Sequence, residues 1–182
     1  STPGKVGELF VKRLFDIVAS GLGIIALSPV LLTVALLVKL TSPGPIFFRQ
    51  IRCTLNGRTF YLYKFRTMVI DAEAKLAELL KHNEMSGPVF KMTKDPRVTA
   101  IGKWLRKFSF DEMPQLWNVL RGDMSLVGPR PNVRRETDLY TDEEKKLLSL
   151  KPGITDFASI VFSDESQILK DSTDPDLDYN RL

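Results

Sequence analysis

The sequence feature that most constrains this chain is an uninterrupted apolar run near its N-terminus. Residues Ile17–Val38 are 22 consecutive positions without a charged side chain. At 1.5 Å per residue a helix of that length reaches about 33 Å, enough for a bilayer core of about 30 Å. A cleaved signal peptide has a shorter apolar core and a small-residue cleavage site. We therefore expect a membrane anchor that stays in the mature protein.

Ser28 and Pro29 lie in the middle of this run. Proline removes one backbone hydrogen bond and clashes with the preceding turn, so the helix is expected to bend or break there. One interpretation is a kinked helix that spans the membrane; the other is a re-entrant helix-break-helix that enters and leaves by the same face. Lys12 and Arg13 before the run and Lys39 after it favour a cytoplasmic position for both ends, as the second interpretation requires. The residues alone leave both open.

Composition excludes several classes of chemistry. One cysteine (Cys53) and one histidine (His82) cannot build a disulfide framework or a Cys/His zinc site, and they argue against a histidine-based triad. Catalysis would therefore fall to carboxylates, hydroxyls or lysine. Residues 1–135 hold 21 basic and 10 acidic side chains, a net +11, and residues 136–182 hold 5 and 12, a net −7. The basic surface thus belongs to the first three quarters of the chain.

Local patterns after the apolar run predict a mixture of short elements. Aromatic and β-branched residues at 46–50 and 60–65, on either side of Asn56-Gly57, predict a β-hairpin. Helical spacing of apolar residues or helix-favouring composition predicts four helices, at 70–82, 99–108, 113–120 and 136–148. Residues 163–182 are acidic and loop-like.

The densest group of candidate catalytic side chains surrounds Asp111 and Glu112. In a structural interpretation Asp111 is the N-cap of the helix that follows and Pro114 lies in its first turn. In a functional interpretation the two adjacent carboxylates share a divalent cation, at a helix start that also attracts phosphate. The two interpretations do not exclude each other.

Three further cations are candidate phosphate ligands. Arg130 stands between Pro129 and Pro131, which fix the backbone around a guanidinium suited to bidentate phosphate contact. Lys64 and Arg66 alternate along the predicted second strand and so share one sheet face. The structural alternatives are a solvated loop arginine and a solvated strand edge.

Taken together, these segments resemble a known family, the monotopic polyprenyl-phosphate phosphoglycosyl transferases, also called bacterial sugar transferases. The resemblance runs from about Phe10 to Thr155. It rests on several separated motifs in the family's order: Arg13-Leu14-Phe15-Asp16, Ser28-Pro29, Lys64-Phe65-Arg66-Thr67-Met68, Ser109-Phe110-Asp111-Glu112-Met113-Pro114-Gln115, the segment 122–131, and Lys151-Pro152-Gly153-Ile154-Thr155.

The resemblance implies transfer of a sugar-1-phosphate from a UDP-sugar to polyprenyl (undecaprenyl) phosphate with release of UMP, the first membrane step of polysaccharide or glycoconjugate assembly. It makes Asp111 the nucleophile of a covalent aspartyl-phosphosugar intermediate. It also implies Mg²⁺ held by Asp111 and Glu112, with Glu112 assisting through the metal or a proton. Arg106, Arg130 and Lys64, with Arg66 beside them, are the expected phosphate ligands.

The fold that follows is α/β (α+β): a mostly helical small catalytic domain with a short β-hairpin at 42–182, forming one structural unit with a re-entrant membrane helix-break-helix at 1–41. The family's re-entrant helix places the protein at the cytoplasmic face of the bacterial inner (plasma) membrane, as a monotopic protein whose basic surface faces anionic membrane lipids. Nucleic acid is not an expected partner, and a second copy, as a homodimer, is the remaining candidate.

Two alternatives to this assignment stay open. One is a membrane-anchored basic module that binds lipid or another partner without catalysis, supported by the charge asymmetry alone. The other is an ordinary glycosyltransferase, which would release UDP. Residues 156–165 depart from the family's pattern, so the sequence does not predict which sugar is transferred.

Overall fold

The computed structural model describes residues 3–79, 92 and 95–156. These residues form a mixed helical and small-sheet structure, which agrees with the predicted α+β class. The helices are α1 (Pro3–Thr41), α2 (Ala72–Leu79), α3 (Ala100–Lys107), α4 (Gln115–Arg121) and α5 (Arg134–Thr137), and the strands are β1 (Phe47–Cys53), β2 (Thr59–Phe65), β3 (Ser125–Val127) and β4 (Gly153–Thr155).

The described residues divide into two compact units. The first unit contains residues within 3–21, 51–61 and 116–156, and the second contains residues within 22–50 and 62–115. The predicted boundary after residue 41 stays a prediction.

The second unit has a buried apolar core that joins the end of α1 to the elements after it. Val34 and Val38 of α1 pack with Phe65 of β2 and Leu105 of α3. All four side chains are buried. Burial of an aliphatic or aromatic side chain contributes about 1.5–3 kcal/mol each, so this contact fixes the second half of α1 firmly to β2 and α3.

In the first unit, the start of α1 is held by polar side chains. Asp16 is buried and accepts hydrogen bonds from the Ser125 hydroxyl at 2.8 Å and the Leu126 amide at 3.1 Å. The Arg13 guanidinium donates to the carbonyls of Val119 and Leu120 at the end of α4, at 2.6 and 2.9 Å. Arg13 thus gives partners to two carbonyls that the end of a helix leaves unpaired.

The predicted helix break at Ser28-Pro29 is not found: α1 continues through both residues as one helix. Pro29 has no N–H with which to bond the carbonyl of Ile25 four residues earlier. The Ser28 hydroxyl donates to that carbonyl instead, at 2.7 Å. The serine therefore satisfies the acceptor that the proline leaves free, and the helix need not end there.

By length and composition, α1 is able to cross a membrane, and among the described residues it is the one helix that qualifies. A long apolar helix can also be the buried core of a soluble protein. In this structure only 11% of the most apolar 18-residue stretch of α1 is buried. Its exposed apolar side chains, Leu22, Ile25 and Leu32 among them, are what a lipid-facing helix requires.

The β-hairpin and the helix at 99–108 are confirmed. Strands β1 and β2 pair around a turn in which Asn56 and Gly57 both have positive φ, 58° and 72°. The side chain of Thr99 caps α3 by accepting a hydrogen bond from the Gly102 amide at 3.0 Å. Helix α2 lies within the predicted 70–82, and the rest of that prediction, like the acidic tail at 163–182, falls outside the described residues.

The helix predicted at 136–148 is wrong. The chain forms α5, ends it, and then forms a 3₁₀ helix at Glu144–Ser149. Thr141 and Glu144 cause the interruption because they form a capping box: the Thr141 amide donates to the Glu144 carboxylate at 2.8 Å, and the Glu144 amide to the Thr141 hydroxyl at 3.3 Å. The parallel pairing of β3 with β4 was not predicted.

Candidate active site

The second unit contains a cleft of about 700 Å³. Both predicted catalytic carboxylates, Asp111 and Glu112, line it. Three of the four predicted phosphate-binding cations, Lys64, Arg66 and Arg106, line it as well. The cleft is large enough for a small-molecule substrate, since ligand pockets usually measure about 300–1,000 Å³.

A reversal of the chain after α3 brings Asp111 into this cleft. Ser109 adopts a left-handed conformation, with φ 55° and ψ 20°, and a 3₁₀ turn at Phe110–Glu112 follows. The ring of Phe110 stacks on that of Trp104, with centroids 5.4 Å apart and planes at 7°. This stacking anchors the turn on α3, and Asp111 of the same turn lines the cleft.

The N-cap interpretation of Asp111 is wrong, because α4 begins only at Gln115. Pro114 directly precedes that helix instead of lying in its first turn. Asp111 is thus held by the 3₁₀ turn and not by capping, so its position does not serve the stability of α4.

The electrostatics of the cleft distinguish the two carboxylates. Glu112 pairs with Lys64, whose ammonium nitrogen lies 2.5 Å from Oε1. Asp111 is buried, and this burial raises the pKa of its carboxyl. Lys64 and Arg106 act in the opposite direction, and Glu112 raises the pKa further. Asp111 is therefore a desolvated carboxylate near two cations, Arg106 and Lys64, and Lys64 is paired with Glu112.

Close packing of α3 on the chain after β2 positions Arg106. A Cβ atom on Gly102 would lie 2.1 Å from the Thr67 carbonyl oxygen, so only glycine permits this approach. One turn later, Arg106 Nε donates to the Thr67 hydroxyl at 2.9 Å. The rest of the guanidinium is exposed in the cleft and available to an anion.

Arg66 has a different set of partners from the one that a phosphate ligand would have. It is 7% exposed. Its Nη1 donates to the Ser42 hydroxyl at 2.7 Å, Nη2 to the Ser42 carbonyl at 2.9 Å, and Nε to the Pro45 carbonyl at 2.6 Å. Arg66 thus ties the turn after α1 to the end of β2, while its role toward phosphate stays a prediction.

Arg130 belongs to the first unit. It is exposed and lines a small cavity of about 170 Å³ there, together with Cys53 and Tyr140. The neighbouring Arg52 donates to the Pro131 carbonyl at 3.0 Å. Burial is the main cause that lowers the pKa of Arg52; repulsion from Arg130 lowers it further, and attraction to Glu136 acts in the opposite direction. The phosphate-binding role of Arg130 stays a prediction.

The donor set of the cleft fits Mg²⁺ only with help from a substrate. Among the described residues, no cluster of three or more His, Cys, Asp or Glu side chains could hold a metal ion. Mg²⁺, however, commonly binds through one or two carboxylates and completes its shell with substrate phosphates and water. Asp111 and one oxygen of Glu112 meet that requirement.

Arg97 and Ser109 are among the polar cleft residues to which the sequence analysis gave no role. Arg97 lines the cleft and pairs with Asp95 at 2.6 Å. The only sequence feature that indicates this ion pair is the spacing of the two residues, an arginine two positions after an aspartate. Ser109 also lines the cleft, and its position beside the Asp-Glu pair was visible, but its left-handed backbone was not.

Comparison with known proteins gives the class to which this fold and cleft belong. A family profile described as bacterial sugar transferase matches residues 7–181. The chain belongs to the bacterial sugar transferase family.

Several curated relatives are between 41% and 46% identical to the chain over the aligned residues. A galactosyl transferase of Streptococcus agalactiae serotype III is 46% identical over 151 residues, which are 83% of this chain and 33% of that protein. An undecaprenyl-phosphate galactose phosphotransferase of Salmonella typhimurium is 44% identical over 156 residues, 83% and 32%. A UDP-N-acetylgalactosamine-undecaprenyl-phosphate N-acetylgalactosaminephosphotransferase of Aeromonas hydrophila is 41% identical over 155 residues, 84% and 34%. The chain thus spans about a third of the length of these relatives.

Proposed function

We propose that the chain is the catalytic part of a phosphoglycosyl transferase that moves a sugar-1-phosphate from a UDP-sugar to undecaprenyl phosphate and releases UMP. The observation that carries the proposal is the buried Asp111 carboxylate in a cleft that also presents Lys64 and Arg106. The names of the Salmonella and Aeromonas relatives, which specify undecaprenyl phosphate and a phosphotransferase, support the substrate class.

In the first step, an oxygen of Asp111 attacks the sugar-bearing phosphorus of the donor. A bond forms between this oxygen and phosphorus, and the phosphoanhydride bond to UMP breaks, so UMP leaves with the bridging oxygen. Burial removes water that would weaken the nucleophile, while Arg106 and Lys64 oppose the repulsion between the carboxylate and the diphosphate. Mg²⁺, when bound by Asp111 and Glu112, would neutralise charge on the phosphates.

In the second step, a phosphate oxygen of undecaprenyl phosphate attacks the same phosphorus. The bond to Asp111 breaks, the carboxylate is regenerated, and the product is a diphosphate-linked sugar. The ion pair of Lys64 with Glu112 holds both side chains in place through the two steps.

The proposed location is the cytoplasmic face of the bacterial inner membrane; a path of α1 that enters and leaves by that face stays a prediction, because α1 is one uninterrupted helix in this structure. The start of α1 binds Ser125 and Leu126 through Asp16, and its second half packs on Phe65 and Leu105. Between these two attachments lie residues 17–33, which reach about 25 Å as a helix, less than a bilayer core of about 30 Å. A stretch of this length is too short to cross the core by itself, which is why a re-entrant path is proposed.

The released nucleotide separates the proposal from its enzymatic alternative. The full chain in detergent or nanodiscs would be given undecaprenyl phosphate, Mg²⁺ and a panel of UDP-sugars, and the nucleotide product identified by chromatography. We expect UMP. Release of UDP would indicate an ordinary glycosyltransferase and contradict the proposal.

A covalent intermediate separates it from a charge-driven binding module. Mixed with donor and Mg²⁺ but no acceptor, the wild-type protein should gain the mass of one sugar phosphate, and Asp111→Asn should not. Asp142→Asn is the matched control, because this aspartate is 98% exposed and pairs only with the nearby Lys145. An active enzyme without the adduct, or an adduct that persists in Asp111→Asn, would refute the role of Asp111.

A further inference from the structure

Ser109 has a backbone conformation that its side chain disfavours. Its φ of 55° lies in the left-handed region, and among the described residues only one other residue besides glycine, Asn56, has a positive φ. The position directly follows Phe108, which ends α3, and at this point of a helix the left-handed residue is usually glycine. A serine there is less favourable than glycine because its Cβ crowds the backbone.

Ser109 is one of the residues that line the candidate active site. It lines the same cleft as Asp111, Lys64 and Arg106, and it is exposed. Within the described part of the chain its hydroxyl makes no hydrogen bond, and it does not cap the turn that follows. A strained conformation retained at a functional site calls for a function of the side chain itself.

We propose that Ser109 is a substrate-contacting residue, whose hydroxyl donates a hydrogen bond to a non-bridging phosphate oxygen of the nucleotide diphosphate. The inference rests on the proposed function, and it adds a neutral donor to the cations already named. The alternative is that Ser109 only turns the chain. Glycine would then do the same better, because it adopts this backbone without strain.

Two substitutions separate these roles by moving stability and activity in different directions. Ser109→Ala removes the hydroxyl and leaves the backbone preference nearly unchanged, so its melting temperature should equal that of the wild type. Ser109→Gly removes the hydroxyl and also the strain, so it should melt at a higher temperature. If the hydroxyl contacts phosphate, both variants should lose about 10- to 100-fold in kcat/KM, as expected for a hydrogen bond to a charged group.

Asn56→Gly is the matched control. Asn56 has φ 58° and is exposed in the turn of the β-hairpin, and it does not line the cleft. It should keep wild-type turnover, and its melting temperature should rise by no more than that of Ser109→Gly, because asparagine tolerates a left-handed backbone better than serine does. A Ser109→Gly enzyme that is more stable and fully active would overturn the inference and leave Ser109 a turn residue.

The shift in melting temperature on binding UDP tests the phosphate contact without measuring turnover. With Mg²⁺ present, UDP should raise the melting temperature of the wild-type protein, and this rise should shrink in Ser109→Ala and persist in Asn56→Gly. If the wild type cleaves no donor and yet Ser109→Ala loses the effect of UDP, the proposed function fails and the phosphate contact stands. If UDP stabilises Ser109→Ala as well as the wild type, the phosphate contact is refuted whatever the turnover.

Discussion

Replacing Arg66 by methionine tests whether this arginine is a structural residue or a phosphate ligand. The substitution keeps most of the apolar stem and removes every donor. The Ser42 hydroxyl and carbonyl then lose their partner in buried surroundings, and the partly buried Pro45 carbonyl loses its own. Each buried acceptor without a partner costs about 1–3 kcal/mol, which gives about 2–6 kcal/mol for the two on Ser42.

The net loss should be smaller than this sum. Removing the guanidinium also removes the cost of burying its charge. We therefore expect Arg66→Met to lower the free energy of unfolding by about 2–4 kcal/mol. At about 2–4 °C per kcal/mol for a chain of this size, the melting temperature should fall by about 4–16 °C.

Tryptophan fluorescence during heating provides the assay, because Trp104 lies in the same unit and stacks on Phe110. Lys103→Met is the control: Lys103 is exposed on α3, and its loss should change stability by no more than about 0.5 kcal/mol. Arg66→Lys should fall between the two, since a compact ammonium cannot reach all the acceptors that surround the three nitrogens of the guanidinium. If Arg66→Met melts with the control while losing turnover, Arg66 acts on substrate and the structural argument is wrong.

Three further outcomes are expected. Asp111→Asn should melt higher than the wild type at pH 7, because burial raises the pKa of Asp111 and disfavours its charged form. The difference should shrink as the pH falls through this raised pKa and vanish below the ordinary pKa of the unfolded carboxyl, as thermal unfolding across pH would show. Arg130→Lys should reduce kcat/KM about 10-fold or more if the guanidinium holds phosphate in a bidentate manner, whereas near-wild-type kinetics would leave it a solvated loop residue. Cysteines placed singly at positions 5 and 58 in a Cys53→Ser background should both resist a membrane-impermeant reagent on intact cells, and labelling of position 5 from outside would contradict the re-entrant arrangement.

Elements with strong local signals were predictable from the sequence. The Asn56-Gly57 pair accepts positive φ at both positions, and this alone fixes the hairpin turn. Thr99 caps α3 through an amide only three residues away. The capping box of Thr141 and Glu144 is equally local. This sequence pattern predicts a new helix start at Thr141, and so an interruption of the helix that the composition of 136–148 favours.

Features that depend on distant partners were not predictable. Strands β3 and β4 have three residues each, too few for a periodic pattern, and Ser125 pairs with Gly153 far along the chain. The family resemblance implied that Asp111 and Lys64 act on the same substrate. Alternation along the strand predicted only which face of the sheet Arg66 shares with Lys64. The acceptors of Arg66 on Ser42 lie 24 residues away, and nothing in the local sequence identifies them.

The bonds of Arg66 also connect the end of α1 with the cations of the cleft. Arg66 stands two residues after Lys64, which holds Glu112, and directly before Thr67, which holds Arg106. Its guanidinium fixes Ser42 and Pro45, and its amide donates to the Ile46 carbonyl at 2.9 Å. One short stretch of backbone therefore connects the turn after α1 with two cations that line the cleft, Lys64 and Arg106. Because Ser42 does not line the cleft itself, a substitution of Ser42 should alter the cleft through Arg66 and the backbone beside it.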